Sequence, residues 1–264
     1  MFRFIHTLSD GPLFHIRLNR PEKRNALSGI LVEELKEALV AAANDSLCRV
    51  IILSAEGSVF SAGADLDHLQ KLMQNTQEEN LADSRALADL FRMIYLHPKV
   101  IITQIEGAAI AGGCGLACMG DFSFAVPEAT FGYTEVKIGF IPAIVSIFLI
   151  RRIGETKARD ILLSGSIFNA EEAFQIGMIT RVIEPQHIKE YVHQFAMKLS
   201  AETSPESIRL TKELIHGVQE RTFYEALDYT AEMNAKARAT EDCKKGITAF
   251  LEKRKLNWLT PSSR

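Results

Sequence analysis

At 264 residues the chain is long enough for one large domain, or two small ones, with a sizeable core. Its 47% hydrophobic and 24% charged residues are ordinary for a globular protein, and a net charge of -3 gives no electrostatic case for nucleic acid. Cys48, Cys114, Cys118 and Cys243 form no CxxC pair and the histidines no HExxH, so small buried thiols are expected and a metal site has no support.

Met1 to Pro12 carries charge and turn breakers where a signal peptide needs an apolar core, so no secretory signal is visible and a cytoplasmic location is expected. Two short runs, Phe2 to Thr7 and Leu13 to Leu18, flank Ser9-Asp10-Gly11-Pro12. In the second, Phe14, Ile16 and Leu18 alternate with His15 and Arg17, the period of a half-buried strand, and together the runs predict a β-hairpin. Asn19 to Leu27 is a polar loop. Ser28 is placed to cap a helix of about four turns, with Leu31, Leu35, Ala38, Leu39 and Ala42 on its buried face. The β-branched run Val50 to Leu53 predicts a central strand of a parallel sheet, leading into a small-residue turn, Phe60-Ser61-Ala62-Gly63-Ala64-Asp65-Leu66. Leu81, Leu87, Leu90, Phe91 and Ile94 then give a long amphipathic helix over Glu78 to His97, stopped by Pro98.

Val100 to Ile105 reads as a buried strand, and the stretch after it, Gly107 to Gly120 (GAAIAGGCGLACMG), as a strand-to-helix junction crowded by Gly112, Gly113 and Gly115. A helix start there carries free N–H groups and the positive end of a dipole, so the corner suits an anion or a polarised oxygen. The alternative is a tight turn with close helix-strand packing. Strand, small-residue turn and helix have now occurred twice, the alternation of an α/β fold with ligand chemistry at the turns. Asp121 to Val126 is a further strand, Thr130 to Gly132 a short extended piece and Tyr133 to Gly139 a loop. The longest nearly apolar run, Ile138 to Ile150, is shorter than the roughly 20 residues of a membrane helix and contains Pro142, so no membrane span is expected. Glu155 to Ser164, Ala170 to Ile176, Pro185 to Ala201, Pro205 to Val218, Thr222 to Ala239 and Asp242 to Lys255 carry helical spacing. No internal repeat or linker is visible, and a soft boundary near Ser200 divides residues 1–200 from a helical segment, 201–264.

Six pieces share one order and approximate spacing with a known family. They are Leu18-Asn19-Arg20-Pro21 with Asn25-Ala26-Leu27, the Phe60 to Leu66 turn, Ala111-Gly112-Gly113-Cys114, Phe131-Gly132 through Glu135 and Gly139, Gly177 to Ile179, and Gly246 to Trp258. Taken together the chain resembles the enoyl-CoA hydratase/isomerase, or crotonase, superfamily. The resemblance implies an α/β crotonase-like ββα spiral with a helical C-terminal trimerisation segment, a homotrimer or homohexamer, and an acyl-CoA thioester as substrate. CoA being part of the substrate, no separate cofactor is implied. Two backbone N–H groups that hold the thioester oxygen fall on Ala64 and Gly112, and a catalytic carboxylate on Glu135. Such donors each contribute about 2.7 to 4 kcal/mol where an enolate oxygen develops charge. The CoA-lining positions fall on Lys23, Arg24 and Ala26, and on Ala62, Gly63, Asp65 and Leu66, the two cations suiting the CoA phosphates. Leu72, Leu87 and Phe140 are candidates for the acyl pocket.

The chain departs from the family's hydratases at one point. They carry two catalytic glutamates, and the position of the first is Gly115 here. A single carboxylate suits double-bond migration, whereas the neighbourhood Phe131 to Gly139 resembles the short-chain or methylglutaconyl-CoA hydratase branch. Hydration or dehydration is placed first, isomerisation second, and a CoA-ester-binding scaffold without chemistry is the reading of another class. A side chain added at Gly115 is strained if that glycine takes a positive φ, for which Gly115→Ala is the control.

Overall fold

The structure, a computed structural model, describes residues 2–65, 69–71 and 73–260. Two sheets share the chain by turns. The larger contains β1 (Ile5–Asp10), β2 (Leu13–Leu18), β3 (Val50–Ala55), β5 (Val100–Ile105), β7 (Phe122–Ala125) and β10 (Arg181–Val182), in the order β1-β2-β3-β5-β7-β10. The smaller has the order β4-β6-β8-β9 and is built from β4 (Val59–Ser61), β6 (Ala108–Ile110), β8 (Thr130–Gly132) and β9 (Ile167–Asn169). The β1–β2 and β8–β9 pairs are antiparallel and all the others parallel. A long strand in one sheet is thus followed by a short strand in the other, three times over: β3 to β4, β5 to β6, β7 to β8. This is the ββα spiral, and its repetition is structural, without a repeated sequence.

Helices close each turn. They are α1 (Gly29–Asn44), α2 (Gln77–Tyr95), α3 (Gly112–Cys118), α4 (Ala143–Ile153), α5 (Glu155–Ser164), α6 (Ala170–Gln175), α7 (Ile188–Glu202), α8 (Pro205–Val218), α9 (Phe223–Ala239) and α10 (Glu241–Leu251). The Ser28 hydroxyl accepts from Leu31 N–H at 3.3 Å, and all five apolar residues expected on the inner face of α1 are buried. Thr76 and Glu79 form a reciprocal capping box at the start of α2. Leu90, Phe91 and Ile94 of that helix are buried, whereas Leu81 is 48% exposed. Among the described residues no helix is long and apolar enough to cross a membrane.

Several sequence expectations shift. The first strand runs on through Asp10, and the hairpin turns at Gly11 and Pro12 alone, Gly11 taking φ 56°. The small-residue turn and the glycine corner each contain a strand of the smaller sheet, β4 and β6, hidden by their brevity. The apolar run beyond Pro142 is the helix α4, whose Val145 and Leu149 are buried one turn apart. The division drawn near Ser200 falls inside α7, where the buried Ser200 hydroxyl donates to Ala196 O at 2.8 Å. Cys48, Cys114 and Cys118 are buried free thiols, and burial pushes the Cys48 thiol up to about 11.

The last helices are tied to the larger sheet by one buried cation. Lys212 of α8 donates to Asp121 Oδ2 at 2.6 Å and to Lys99 O at 2.9 Å, and the same Asp121 oxygen accepts the Ile101 N–H at 2.7 Å. Burial pulls the Lys212 ammonium below its ordinary range, with Asp121 opposing that shift. Removing one member of a buried pair leaves the other uncompensated, at about 3 to 5 kcal/mol. Asp121 keeps some solvent contact, so Lys212→Ala is expected to cost about 3 kcal/mol in urea unfolding. A loss below about 1 kcal/mol would place the pair among ordinary surface bridges.

Candidate active site

Three loop segments meet at one end of the smaller sheet. The first is the 3-10 turn Pro21–Lys23 with the residues after it. Asn25, fully buried at φ 51°, acts as a latch: its Oδ1 accepts from Arg20 N–H at 2.8 Å, and its Nδ2 donates to Glu56 O and Val59 O, each at 2.8 Å. Asparagine tolerates the left-handed region that this fold-back needs. Ser61 Oγ donates to Asn25 O at 2.8 Å, Ala62 N–H to Arg24 O at 3.0 Å, and Leu27 N–H to Gly63 O at 2.7 Å. The early loop and the second turn therefore run side by side. Asp65 is buried in an ion pair with Arg20.

The second segment is set by a bulge. β4 pairs Val59 with Ala108 and Ser61 with Ala109, leaving Phe60 extra, and such an irregularity bends a strand just before its turn. Leu27 and Ala64 form an isolated parallel bridge, with bonds to Gly63 O and from Asp65 N–H. Those bonds pass either side of Ala64, whose own N–H points away from Leu27 and has no backbone acceptor among the described residues. Gly63 takes φ 84°, and a Cβ there would sit 2.8 Å from Ile110 O and 2.9 Å from Ala111 Cβ. Only glycine allows both the dihedral and the approach.

The third segment is the corner itself. Ala111 holds φ 53° and ψ -127°, a conformation that costs a non-glycine residue about 1 to 3 kcal/mol. It is clamped there by its N–H donating to Gly132 O at 2.7 Å and its carbonyl accepting Gly115 N–H at 3.1 Å. Gly112 is the first residue of α3, so its N–H has no intrahelical acceptor. Gly113 lies directly against Ser61, where a Cβ would be 2.7 Å from both the Cβ and the Oγ of that serine. Strain and close packing thus present the Gly112 N–H beside the turn that carries Ala64.

Glu135 begins a 3-10 turn, Glu135–Ile138, three residues beyond β8, the strand that pairs with β6 and anchors Ala111. Its carboxylate is buried, and Oε2 has no hydrogen-bond partner among the described residues. Burial raises its pKa above the ordinary glutamate range, partly opposed by a bond from its own backbone N–H. A carboxylate held this way exchanges protons closer to neutral pH.

The family model described as Enoyl-CoA hydratase/isomerase matches residues 10–261. The chain belongs to this family. A Thermus thermophilus relative, provisionally named as an enoyl-CoA hydratase, is 40% identical over 237 residues, covering 90% of this chain and 93% of the relative. A crotonyl-CoA hydratase of Syntrophomonas wolfei is 32% identical over 246 residues, 92% of this chain and 93% of its own. The crystal structure of an enoyl-CoA hydratase from Shewanella pealeana superposes with a TM-score of 0.92 at 31% identity, covering 97% of this chain and 96% of that one.

Within this hydratase/isomerase fold, residues 23–27, 61–65 and 111–113 come together as one surface. Ala64 is exposed and Gly112 and Ala62 are half-buried. Lys23 and Arg24 are exposed on the early loop, while Ala26, Gly63 and Asp65 are buried, their side chains or backbones forming the seam. Leu66 and Leu72 lie outside the described residues. Leu87 is half-buried against the core, and Phe140 is 53% exposed on the loop after Glu135. At Gly115 φ is not positive, so the constraint there is space and not backbone strain. A Cβ there would strike Val145 Cγ1 of α4, with Phe91 Cε1 at 2.9 Å and Val145 Cβ at 3.1 Å. The Asn25 latch, the strained Ala111 and the Val145 contact carried no local signal beyond the asparagine itself.

Gly63→Ala is expected to destabilise the protein by about 1 to 3 kcal/mol, since it adds strain at positive φ and a clash with the Ile110 carbonyl. Urea unfolding measures it, and a change under about 0.5 kcal/mol would mean that the two corners are not in forced contact.

Proposed function

We propose that the protein is an enoyl-CoA hydratase/isomerase-type enzyme that hydrates a 2-enoyl-CoA, or dehydrates a 3-hydroxyacyl-CoA, through an enolate held at the Ala64 and Gly112 N–H groups. The observation that carries this is the buried Glu135 carboxylate, its Oε2 without a hydrogen-bond partner among the described residues, in the turn that follows the strand paired with β6. In the hydration step Glu135 takes a proton from water while the oxygen bonds to the β-carbon. The double-bond electrons move onto the thioester oxygen, where two fixed dipoles stabilise them. Glu135 then returns a proton to the α-carbon, so the atoms of water are added and the carboxylate is regenerated. Lys23 and Arg24 are assigned to the CoA phosphates, and Ala26, Ala62, Gly63, Asp65 and Leu66 to the walls along CoA. The names of the relatives support hydration. The single carboxylate favours a second reading, migration of a 3-enoyl double bond, in which the same group removes and returns the proton.

Glu135→Gln is expected to lower kcat by about 10²- to 10⁴-fold with little change in CoA-ester affinity. Near-wild-type kcat would remove Glu135 from the mechanism. As a base in the resting enzyme, Glu135 loses activity when protonated, so kcat/KM should fall on the acid side with a midpoint above the ordinary 4.5. The raised pKa also means that the folded state binds this proton more tightly than the unfolded chain. Its contribution to stability is full below 4.5 and is lost as pH rises through the folded value. Glu135→Gln should therefore melt at or above wild type at pH near 8, the difference closing in acid.

The proposal includes a cytoplasmic trimer or hexamer. Its support is the exposed apolar surface of α9 and α10, where Phe223 is 71%, Tyr224 78% and Phe250 81% exposed. Light scattering that finds a monomer at micromolar concentration would reject the assembly.

A further inference from the structure

Gly115 follows Gly112 by three residues, which puts both on one face of α3. The space over that face is filled from two directions. Val145 of α4 is 4% exposed and reaches Gly115 with both its Cβ and a methyl, and Phe91 of α2 is fully buried behind it. Phe91 is itself pinned, stacking on Phe148 at 5.9 Å, and Phe148 packs against Tyr95 at 5.3 Å. A β-branched valine in a helix has essentially one rotamer, so it cannot swing aside. The helix α4 starts only a short loop beyond the Glu135–Ile138 turn, so the segment that carries Glu135 leads directly into the one that carries Val145.

We infer that Val145, backed by Phe91, is a specificity-determining residue: it seals the α3 side of the site with an apolar plug, so that Glu135 carries both proton transfers. No second polar side chain at residue 115, and no water over it, can share them. The inference rests on the functional reading above and deepens it. It predicts that residues 115 and 145 are coupled in both packing and chemistry. A carboxylate introduced at Gly115 has no room while the valine is present, and removing the valine admits polar groups to a face now kept dry.

The test uses Gly115→Glu, Val145→Ala and the double variant, with thermal melting and two assays: hydration of a 2-enoyl-CoA and migration of a 3-enoyl-CoA double bond. Gly115→Glu alone is expected to lose at least 8 °C in Tm or to fail to fold, by roughly the overpacking cost of a filled core site. The double variant is expected to recover at least half of that loss and to raise the ratio of hydration to migration about tenfold over wild type, less than the roughly 10²-fold of a fully positioned acid-base group because the new carboxylate has no hydrogen bonds built to orient it. Val145→Ala alone should raise the same ratio about threefold, which keeps the inference testable if the double variant does not fold. Equal stability of Gly115→Glu with and without the valine would overturn the plug. An unchanged ratio in folded Val145→Ala would reduce Val145 to packing and overturn its role in specificity. Absence of turnover in every form, wild type included, overturns the functional reading and the chemical role with it. That failure is recognisable because the melting coupling between 115 and 145 would persist.

Discussion

The site depends on two backbone corners being forced into contact. Gly63 comes so close to the Ile110 carbonyl and Ala111 that no side chain fits between them, and Gly113 is pressed in the same way onto Ser61. Each contact joins the end of one short strand to the start of the next turn of the spiral. Because β4 and β6 are hydrogen-bonded neighbours, the turns that follow them, with Ala64 on one and Gly112 on the other, run against each other. In the proposed reaction, a pair of donors fixed in this way needs no reorganisation when charge develops on an oxygen between them.

That arrangement stores strain and unsatisfied polarity, and the surroundings hold both in place. Ala111 keeps its unfavourable dihedrals because β8 and α3 each bind one of its backbone groups. The Asn25 side chain spends its hydrogen bonds on three backbone groups, locking the early loop against the second turn. Arg20 and Asp65 neutralise each other beneath that seam. Glu135, by contrast, has one carboxylate oxygen without a partner among the described residues, and its burial raises its proton affinity.

The helical layers serve the same end at a distance. α4 covers α3 with Val145, and α2 supplies Phe91 to the same wall. The result is an apolar wall over Gly115, one helical turn from the Gly112 corner. Farther off, Lys212 binds α8 to the strand ends through Asp121 and Lys99, so the last helices share the rigidity of the larger sheet.

The sequence alone determined the α/β alternation, the Ser28 cap and the order of the motif residues, because hydrophobic period, capping chemistry and glycine placement are local properties of the chain. Ser28 with the inner face of α1, the helix α2 and the strand Val100–Ile105 stand close to where the Ser28 cap and the hydrophobic period put them. Short strands such as β4 and β6 were not legible, since three residues are too few to show a period of two. Nor was α4, whose apolar run looks the same whether it forms a buried helix or an extended segment. Gly115 shows the divide most plainly. Its identity was evident in the sequence, but whether a missing side chain leaves an opening or a filled wall depends on Val145 and Phe91, which arrive from other turns of the spiral. Only the tertiary structure decided that, because packing is a property of residues distant in sequence and adjacent in space.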